Sequence, residues 1–233
     1  MGDRLAEIGA GLAATRRRIA LACDAAGRDP ADVTLVVVTK TFPATDVRLL
    51  NTLGVRDVGE NRHPEAGEKA ESCADLDLRW HFIGQIQTNK AKAVASYADV
   101  VHSVDRVRLV TALARGRTRP APLECLIQVS LDDPEAARGR GGASPADVAT
   151  VAEAIGEHEQ LRLRGLMAVA PLGEDPDEAF ARLAGMHADL RARWPEADWC
   201  SAGMSGDLEA AVRYGATHVR VGSAILGTRP SGR

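Results

Sequence analysis

The sequence alternates short apolar runs with longer amphipathic segments about eight times, and this alternation limits the possible folds more than any other feature. The short runs predict strands at 33–39, 55–59, 78–84, 99–104, 123–131, 161–167, 197–203 and 217–222. The longer segments predict helices at 3–26, 44–53, 63–74, 88–97, 105–116, 145–158, 175–193 and 205–214. Because strands that alternate with helices favour a parallel sheet, we expect an α/β fold.

A short final helix that begins at Gly222 and Ser223 completes the eighth strand–helix unit, and eight such units are the number found in a (βα)8 TIM barrel. The helix at 3–26 comes in addition to them. An open doubly wound sheet is the alternative, but it usually needs fewer strands and often carries a Gly-rich first turn, which this sequence lacks. No shift in composition and no long linker divides the chain. We therefore expect one domain, residues 1–233, that forms a TIM barrel with an extra N-terminal helix.

Composition argues against several other classes of protein. With 45% hydrophobic residues the chain can form a core without cross-links, and a net charge of -3 gives no general attraction to nucleic acid or anionic membranes. No apolar run reaches the roughly 18 residues of a transmembrane helix. The N-terminal segment lacks the apolar core of a signal peptide, and the four cysteines are widely spaced without a CxxC pair. These features predict a cytoplasmic protein without a disulfide framework or a metal site.

Lys40 is the first candidate for chemistry. It follows the apolar run Leu35–Val38, and Pro43 then ends the strand and opens a helix. A lysine just past a buried strand lies at the carboxyl end of the sheet, where α/β folds place their sites. Partial desolvation there favours the neutral, nucleophilic amine and therefore Schiff-base chemistry. The alternative is a strand-end lysine whose ammonium group simply reaches water.

Two segments rich in glycine and serine follow the seventh and eighth predicted strands. They are SAGMSGDLEAA, with Ser201, Gly203, Ser205 and Gly206, and RVGSAILG, with Gly222 and Ser223. Small residues before a helix leave backbone N–H groups accessible. Two such segments after strands seven and eight form the usual phosphate site of a TIM barrel. Ordinary helix capping by Ser205 and Ser223 is the alternative interpretation.

Arg220 lies two residues before Gly222 and would reach the same end of the barrel. A reactive lysine, a phosphate site and an arginine together suggest pyridoxal 5'-phosphate (PLP), with its aldehyde on Lys40 and its ring nitrogen near Arg220. Because an arginine does not give up its proton, the ring would stay unprotonated and would be a weak electron sink. This arrangement argues against vigorous amino-acid chemistry.

Seven segments, taken in order, resemble the pyridoxal phosphate homeostasis protein family, whose members are single-domain relatives of the alanine racemase barrel. They are VVTKTFP, DVGENR, WHFIGQIQTNKAK, VHSVD, LRGLMAV, SAGMSGDLEAA and VRVGSAILG. The resemblance runs from about Leu5 to about Thr228. It implies an α/β barrel like the alanine racemase N-terminal domain, which binds and buffers PLP without a strong catalytic activity.

The resemblance also implies roles for individual residues. Lys40 matches the lysine that carries PLP as an internal aldimine, Asn61 matches a residue near the ring, and Arg220 matches the arginine at the pyridine nitrogen. The phosphate contacts match the segment from Ser201 to Ser205 together with Gly222 and Ser223. The predicted cofactor-binding set, without any catalytic residue or metal ligand, is Lys40, Asn61, Ser201, Gly203, Met204, Ser205, Arg220, Gly222 and Ser223.

Three places depart from the family pattern, and their own roles stay open. Arg62 follows the GEN motif where an aromatic residue is common, and Gln85 follows FIG where histidine is common. The loop at 138–142 is rich in arginine and glycine where many relatives carry lysine. Of the histidines in predicted strands, His81 is interpreted as a core or rim residue with satisfied hydrogen bonds and not as a base, and His102 is a candidate to face the cofactor.

Three functions stay open from the sequence. The favoured one is a non-catalytic, monomeric carrier that buffers PLP and exchanges it with PLP-dependent apo-enzymes. The second is a slow amino-acid racemase, which needs an acid/base group on the opposite ring face that neither Tyr97 nor Tyr214 is placed to supply. The third is a phosphate-binding barrel such as a sugar-phosphate isomerase, with Lys40 as electrophile and Glu60 as base.

Overall fold

Eight parallel strands close into a barrel in chain order, with the last strand paired to the first. The computed structural model describes residues 2–132 and 141–228. The strands are β1 (Thr34–Val38), β2 (Asp57–Glu60), β3 (Arg79–Phe82), β4 (Val100–Val104), β5 (Leu123–Gln128), β6 (Leu161–Met167), β7 (Trp199–Ser201) and β8 (His218–Val221). The prediction of a TIM barrel is confirmed.

The helices alternate with the strands and pack on the outside of the barrel. They are α1 (Gly2–Ala25), α2 (Ala44–Thr52), α3 (Glu65–Ser72), α4 (Ala91–Tyr97), α5 (Val107–Gly116), α6 (Val148–Gly156), α7 (Pro176–Arg193), α8 (Leu208–Arg213) and α9 (Ser223–Leu226). Short 3₁₀ segments occur at Pro30–Asp32, Thr88–Lys90 and Pro145–Asp147. Helix α1 precedes the barrel, as the sequence predicts.

Helix α1 packs closely against the two helices that follow β7 and β8. Gly11 is required at one crossing, because a Cβ there would lie 2.8 Å from the backbone oxygens of Ala224 and Ile225. Further along, Arg18 donates hydrogen bonds to both carboxylate oxygens of Glu209, at 2.7 and 2.9 Å. The extra helix therefore supports, from outside, the region in which the sequence predicts the phosphate site.

Several boundaries differ from the predicted ones. The predicted strand 123–131 ends at Gln128, after which Val129 forms only an isolated bridge with Ala143. The predicted strand 197–203 is shorter, with three residues in the sheet. These differences matter for the site, because they lengthen the loops at the carboxyl end of the barrel.

The predicted helix 205–214 also begins later, at Leu208. The side chain of Asp207 accepts a hydrogen bond from the Met204 N–H at 2.6 Å, which holds the preceding residues in a loop. A side chain that bonds to a nearby backbone group in this way competes with helix formation. The residues predicted to begin a helix thus form a loop at the rim.

Side chains along each strand alternate between the helix layer and the barrel interior. Outward-facing residues such as Val37, Val58 and Trp80 belong to a cluster that includes helix residues. The interior holds a small apolar cluster of Val100, Leu126 and Met167. It also holds an unusual number of buried polar side chains, namely His81, His102, Ser201, His218 and Arg220. Since TIM-barrel interiors are mainly apolar, such groups must find hydrogen-bond partners inside the barrel.

Candidate functional site

A cavity of about 310 Å³ opens at the carboxyl ends of β1 and β8, where TIM barrels place their sites. It contains six of the nine residues that the sequence predicts for cofactor binding. Its lining consists of Val38, Lys40, Thr41, Phe42, Ile83, Met204, Ser205, Gly206, Arg220, Gly222, Ser223 and Gly227.

Lys40 lies in a tight turn directly after β1 and is partly buried. The N–H of Phe42 donates to the Thr39 carbonyl at 3.1 Å and closes the turn. Thr41 has a φ of 69°, which is an unfavourable conformation for a β-branched residue. Its N–H donates to Glu65 Oε1 at 2.9 Å. A strained turn persists only where its surroundings hold it, so the backbone of Lys40 is fixed at the cavity edge.

A buried ion pair supports this turn. Lys69 Nζ donates to Glu60 Oε1 at 2.6 Å and to the Thr39 carbonyl at 2.9 Å. Thr39 Oγ1 donates to the same Glu60 oxygen at 2.6 Å. Burial raises the pKa of Glu60, although Lys69 attracts its carboxylate. Glu60 is 2% exposed and does not line the cavity, so its predicted role as the base of an isomerase is wrong for this structure.

Arg220 lines the cavity from the interior of the barrel. Its Nη1 donates to Ser201 Oγ at 2.6 Å, and its Nη2 donates to the Ala168 carbonyl at 2.9 Å. Burial lowers the pKa of Arg220 to about 10. The guanidinium group therefore remains positively charged at neutral pH and presents only hydrogen-bond donors.

The loops after β7 and β8 bring small residues and backbone to the cavity. Gly222 is required by close packing of β8 on β1, because a Cβ there would lie 2.9 Å from the Val38 carbonyl oxygen. Ser205 and Ser223 line the wall beside it, and Met204 is partly exposed at the mouth. This wall offers approachable main chain to a ligand, as the sequence predicts for an anion.

Three predicted residues do not line the cavity, namely Asn61, Ser201 and Gly203. Ser201 lies in the barrel interior, where its side chain accepts the hydrogen bond from Arg220. Gly203 has a φ of 90° and turns the chain so closely that a Cβ would lie 2.7 Å from that of Ala211. Asn61 directly follows β2 and is partly buried. Direct contacts of these three residues with a cofactor stay predictions.

Two of the departures from the family pattern have a visible position. Arg62 and Gln85 are both exposed and neither lines the cavity. Gln85 lies against Gly141, because a Cβ added to Gly141 would lie 3.0 Å from Gln85 Nε2. Of the loop at 138–142, only Gly141 and Gly142 belong to the described residues.

Sequence reasoning missed the apolar part of the lining, which Val38, Phe42 and Ile83 supply. Val38 ends β1 and Ile83 directly follows β3, so the alternation along the strands could have identified both. His102, a candidate to face the cofactor, does not line the cavity but bonds to a residue behind it. His81 is a buried residue with hydrogen bonds on both ring nitrogens, as expected.

Neither tyrosine reaches the cavity. Tyr97 lies in a separate groove beside α3 and α4, with its ring centroid 6.0 Å from that of His63, and burial raises the pKa of its hydroxyl. Tyr214 ends α8 and packs against the core outside the barrel. Among the described lining residues there is no tyrosine, histidine or carboxylate that could act as a second acid or base.

The charges of the lining favour one class of ligand. Lys40 and Arg220 are its charged side chains within the described residues, and both are cationic. Such a cavity attracts an anion, while a lysine amine can bond covalently to a carbonyl carbon. PLP carries a phosphate, an aldehyde and a pyridine nitrogen that accepts a hydrogen bond. The residues that are present therefore fit this cofactor.

Other kinds of site find no support in the described parts of the chain. Residues 2–132 and 141–228 contain no group of three or more histidine, cysteine or acidic side chains arranged to hold a metal ion. In the same residues, no helix combines the length and the apolar character that crossing a membrane requires. The four cysteines are buried and unpaired.

Comparisons with known proteins agree with this geometry. Residues 11–230 match the family described as "Alanine racemase, N-terminal domain". A pyridoxal phosphate homeostasis protein from Mycobacterium bovis is 46% identical over 97% of this chain and 95% of that protein. One from Pseudomonas aeruginosa is 44% identical over 98% of each chain. The solved structure of PipY from Synechococcus elongatus with PLP bound has a TM-score of 0.80 and 32% identity, and covers 94% of this chain and 100% of that one.

Proposed function

The chain belongs to the pyridoxal phosphate homeostasis protein family, and from this premise we propose that it binds PLP and takes part in intracellular PLP homeostasis. One observation carries the proposal: a lysine and a buried arginine face a single cavity whose described lining holds no carboxylate. This combination suits a ligand that is both an aldehyde and an anion.

Each part of the site has a proposed task. Lys40 bonds covalently to the cofactor, and the backbone around Ser205, Gly222 and Ser223 binds its phosphate. Arg220 donates a hydrogen bond to the ring nitrogen. The bound cofactor supplies an electrophilic aldehyde and an electron-accepting ring. Because Arg220 donates without transferring its proton, it does not strengthen that electron sink.

We expect no strong catalysis from this arrangement. A racemase needs acid/base groups on both faces of the ring, and the described lining offers Lys40 without a second such group. The role is therefore that of a carrier or buffer. Incubation with single-enantiomer amino acids, followed by chiral analysis, should show no turnover above that of PLP in solution. Turnover above that rate, lost in Lys40→Ala, would favour a racemase instead.

Absorbance titration with PLP tests the binding proposal. Lys92 is an exposed lysine on α4, outside the cavity, so Lys92→Ala is a matched control for Lys40→Ala. Wild type and Lys92→Ala should both gain the absorbance band of protein-bound PLP, and Lys40→Ala should not. An unchanged wild-type spectrum, or equal bands in all three proteins, would overturn the proposal.

Several finer expectations stay predictions. They are a cytoplasmic location, a monomeric state, a single domain over residues 1–233, and exchange of PLP with PLP-dependent apo-enzymes. Size-exclusion chromatography with light scattering measures the molar mass in solution and so tests the monomeric state. Transfer of PLP to an apo-enzyme can be followed through recovery of that enzyme's activity.

A further inference from the structure

A chain of buried hydrogen bonds crosses the barrel and ends at Arg220. His81 Nε2 lies 2.9 Å from Asp57 Oδ1, and His81 Nδ1 lies 2.9 Å from His102 Nε2. His102 Nδ1 lies 2.9 Å from Ser201 Oγ, which also accepts the bond from Arg220. Asp57 begins β2 and lines a different cavity, at the amino-terminal end of the barrel. The chain therefore connects the two ends of the barrel.

We propose that Asp57, His81 and His102 are positioning residues for Arg220, which act through Ser201 and fix its guanidinium group in the wall of the cofactor cavity. The inference rests on the proposed function, because the cavity that Arg220 lines is the proposed PLP site. It adds residues that lie behind the site and do not line it.

The groups at the two ends of this hydrogen-bond chain, Asp57 and Arg220, determine which way its hydrogen bonds are donated. An arginine can only donate hydrogen bonds, and an ionised carboxylate can only accept them. Burial acts to raise the pKa of Asp57, but the hydrogen bond from His81 and the attraction of positive groups nearby, Arg79 among them, outweigh it, so the net shift is downward. Asp57 is therefore an acceptor at neutral pH, and Arg220 at the other end is a donor.

The histidines between these ends must then share one tautomer. Burial lowers the pKa of both His81 and His102, so each ring is neutral and carries one N–H. His81 must place its hydrogen on Nε2 to donate to Asp57, which leaves Nδ1 as an acceptor for His102 Nε2–H. His102 Nδ1 then accepts the hydroxyl hydrogen of Ser201, and the lone pairs of Ser201 Oγ are left for Arg220.

The opposite direction fails at Asp57. It would place the hydrogen of each ring on Nδ1, so that the lone pair of His81 Nε2 would face an ionised carboxylate at 2.9 Å. It would also remove the acceptor of the Ser201 hydroxyl hydrogen within the chain. Only one direction satisfies every member, and a fully satisfied buried network holds its members in a unique arrangement.

His218 provides a matched control in the same core. It is 3% exposed, and its ring centroid lies 6.3 Å from those of His81 and His102. Its Nδ1 bonds to Thr217 Oγ1 at 2.9 Å, beside the chain and not within it. Replacing His218 with phenylalanine is therefore the same change at another buried position of the interior, and it leaves the hydrogen-bond chain intact.

Two measurements test the inference. Ring-nitrogen chemical shifts of ¹⁵N-labelled, PLP-free protein report histidine tautomers, and we expect neutral Nε2–H rings at both His81 and His102. His102→Phe removes the acceptor of the Ser201 hydroxyl hydrogen, so that Ser201 no longer holds the Arg220 guanidinium group in place. This change should weaken PLP binding about tenfold and should move the absorption maximum of the bound cofactor. His218→Phe should change neither property.

The outcomes separate this inference from the proposed function. An Nδ1–H tautomer at His102, or equal effects of His102→Phe and His218→Phe on affinity and spectrum, would overturn the positioning role while PLP binding by the wild type stands. If the wild type binds no PLP, the proposed function fails, and with it the positioning role. The tautomers would then still establish or refute the direction of the chain itself.

Discussion

Replacing Lys69 with methionine should destabilise the protein through the carboxylate that Lys69 neutralises. The side chains of Lys69 and Glu60 are 6% and 2% exposed, and their charged atoms lie 2.6 Å apart. Glu60 Oε2 has no hydrogen-bond partner among the described residues. Lys69→Met would leave Glu60 with the Thr39 hydroxyl as its remaining partner. Since removal of one member of a buried ion pair costs about 3–5 kcal/mol, we expect that loss of unfolding free energy at pH 7.

The loss of unfolding free energy in Lys69→Met should be larger at neutral pH than at acid pH. Burial already raises the pKa of Glu60 above its unfolded value, and removal of Lys69 raises it further. A protonated carboxyl needs no counter-charge. The contribution of Glu60 to stability is therefore retained at acid pH and is lost as the pH rises through its folded-state pKa, so Lys69→Met should be least harmful in acid.

Urea unfolding of the wild type, Lys69→Met, Glu60→Gln and the double variant measures this effect. The double variant should recover most of the stability that Lys69→Met loses, because a neutral glutamine needs no buried cation. A free energy of unfolding for Lys69→Met within about 0.5 kcal/mol of wild type at pH 7 would refute the reasoning. So would a double variant that is as unstable as Lys69→Met.

Two further experiments test the packing of the protein, one beside the cavity and one at its buried cysteines. Gly222→Ala should weaken PLP binding and lower the free energy of unfolding by about 1–3 kcal/mol, because the new Cβ would crowd the Val38 carbonyl; unchanged PLP titration and urea midpoints would contradict this. Burial raises the pKa of both Cys125 and Cys200 to about 12, so neither should react with a thiol reagent at neutral pH until the protein unfolds. A colorimetric thiol assay with and without denaturant checks this, and rapid labelling of the native protein would be the adverse result.

The barrel could be predicted because the hydrophobic pattern records which face of each strand meets the helices. Val37 and Val58 carry that signal in neighbouring strands. The interior could not be predicted in the same way. His81, His102 and Ser201 come from three different strands, and no local pattern shows which inward positions will face each other across a barrel.

The site was predictable where its signals are local. Lys40 ends a buried strand, and Gly222 stands where two strands approach each other. The position of Ser201 could not be predicted in this way, because a shift of one residue at the end of a short strand moves a side chain between the cavity wall and the barrel interior. Glu60 was misplaced for a related reason: it shares the outward face of β2 with Val58, so its carboxylate meets Lys69 in the helix layer.

The most direct test of PLP binding at this site is the location of the covalent bond. The sequence contains four lysines, Lys40, Lys69, Lys90 and Lys92, and Lys40 is the one that lines the described cavity. PLP-loaded protein can be reduced with borohydride, digested and analysed by peptide mass spectrometry. We predict a single pyridoxyl phosphate group on Lys40. A group on Lys90 or Lys92 instead, or no modified peptide at all, would contradict the proposal.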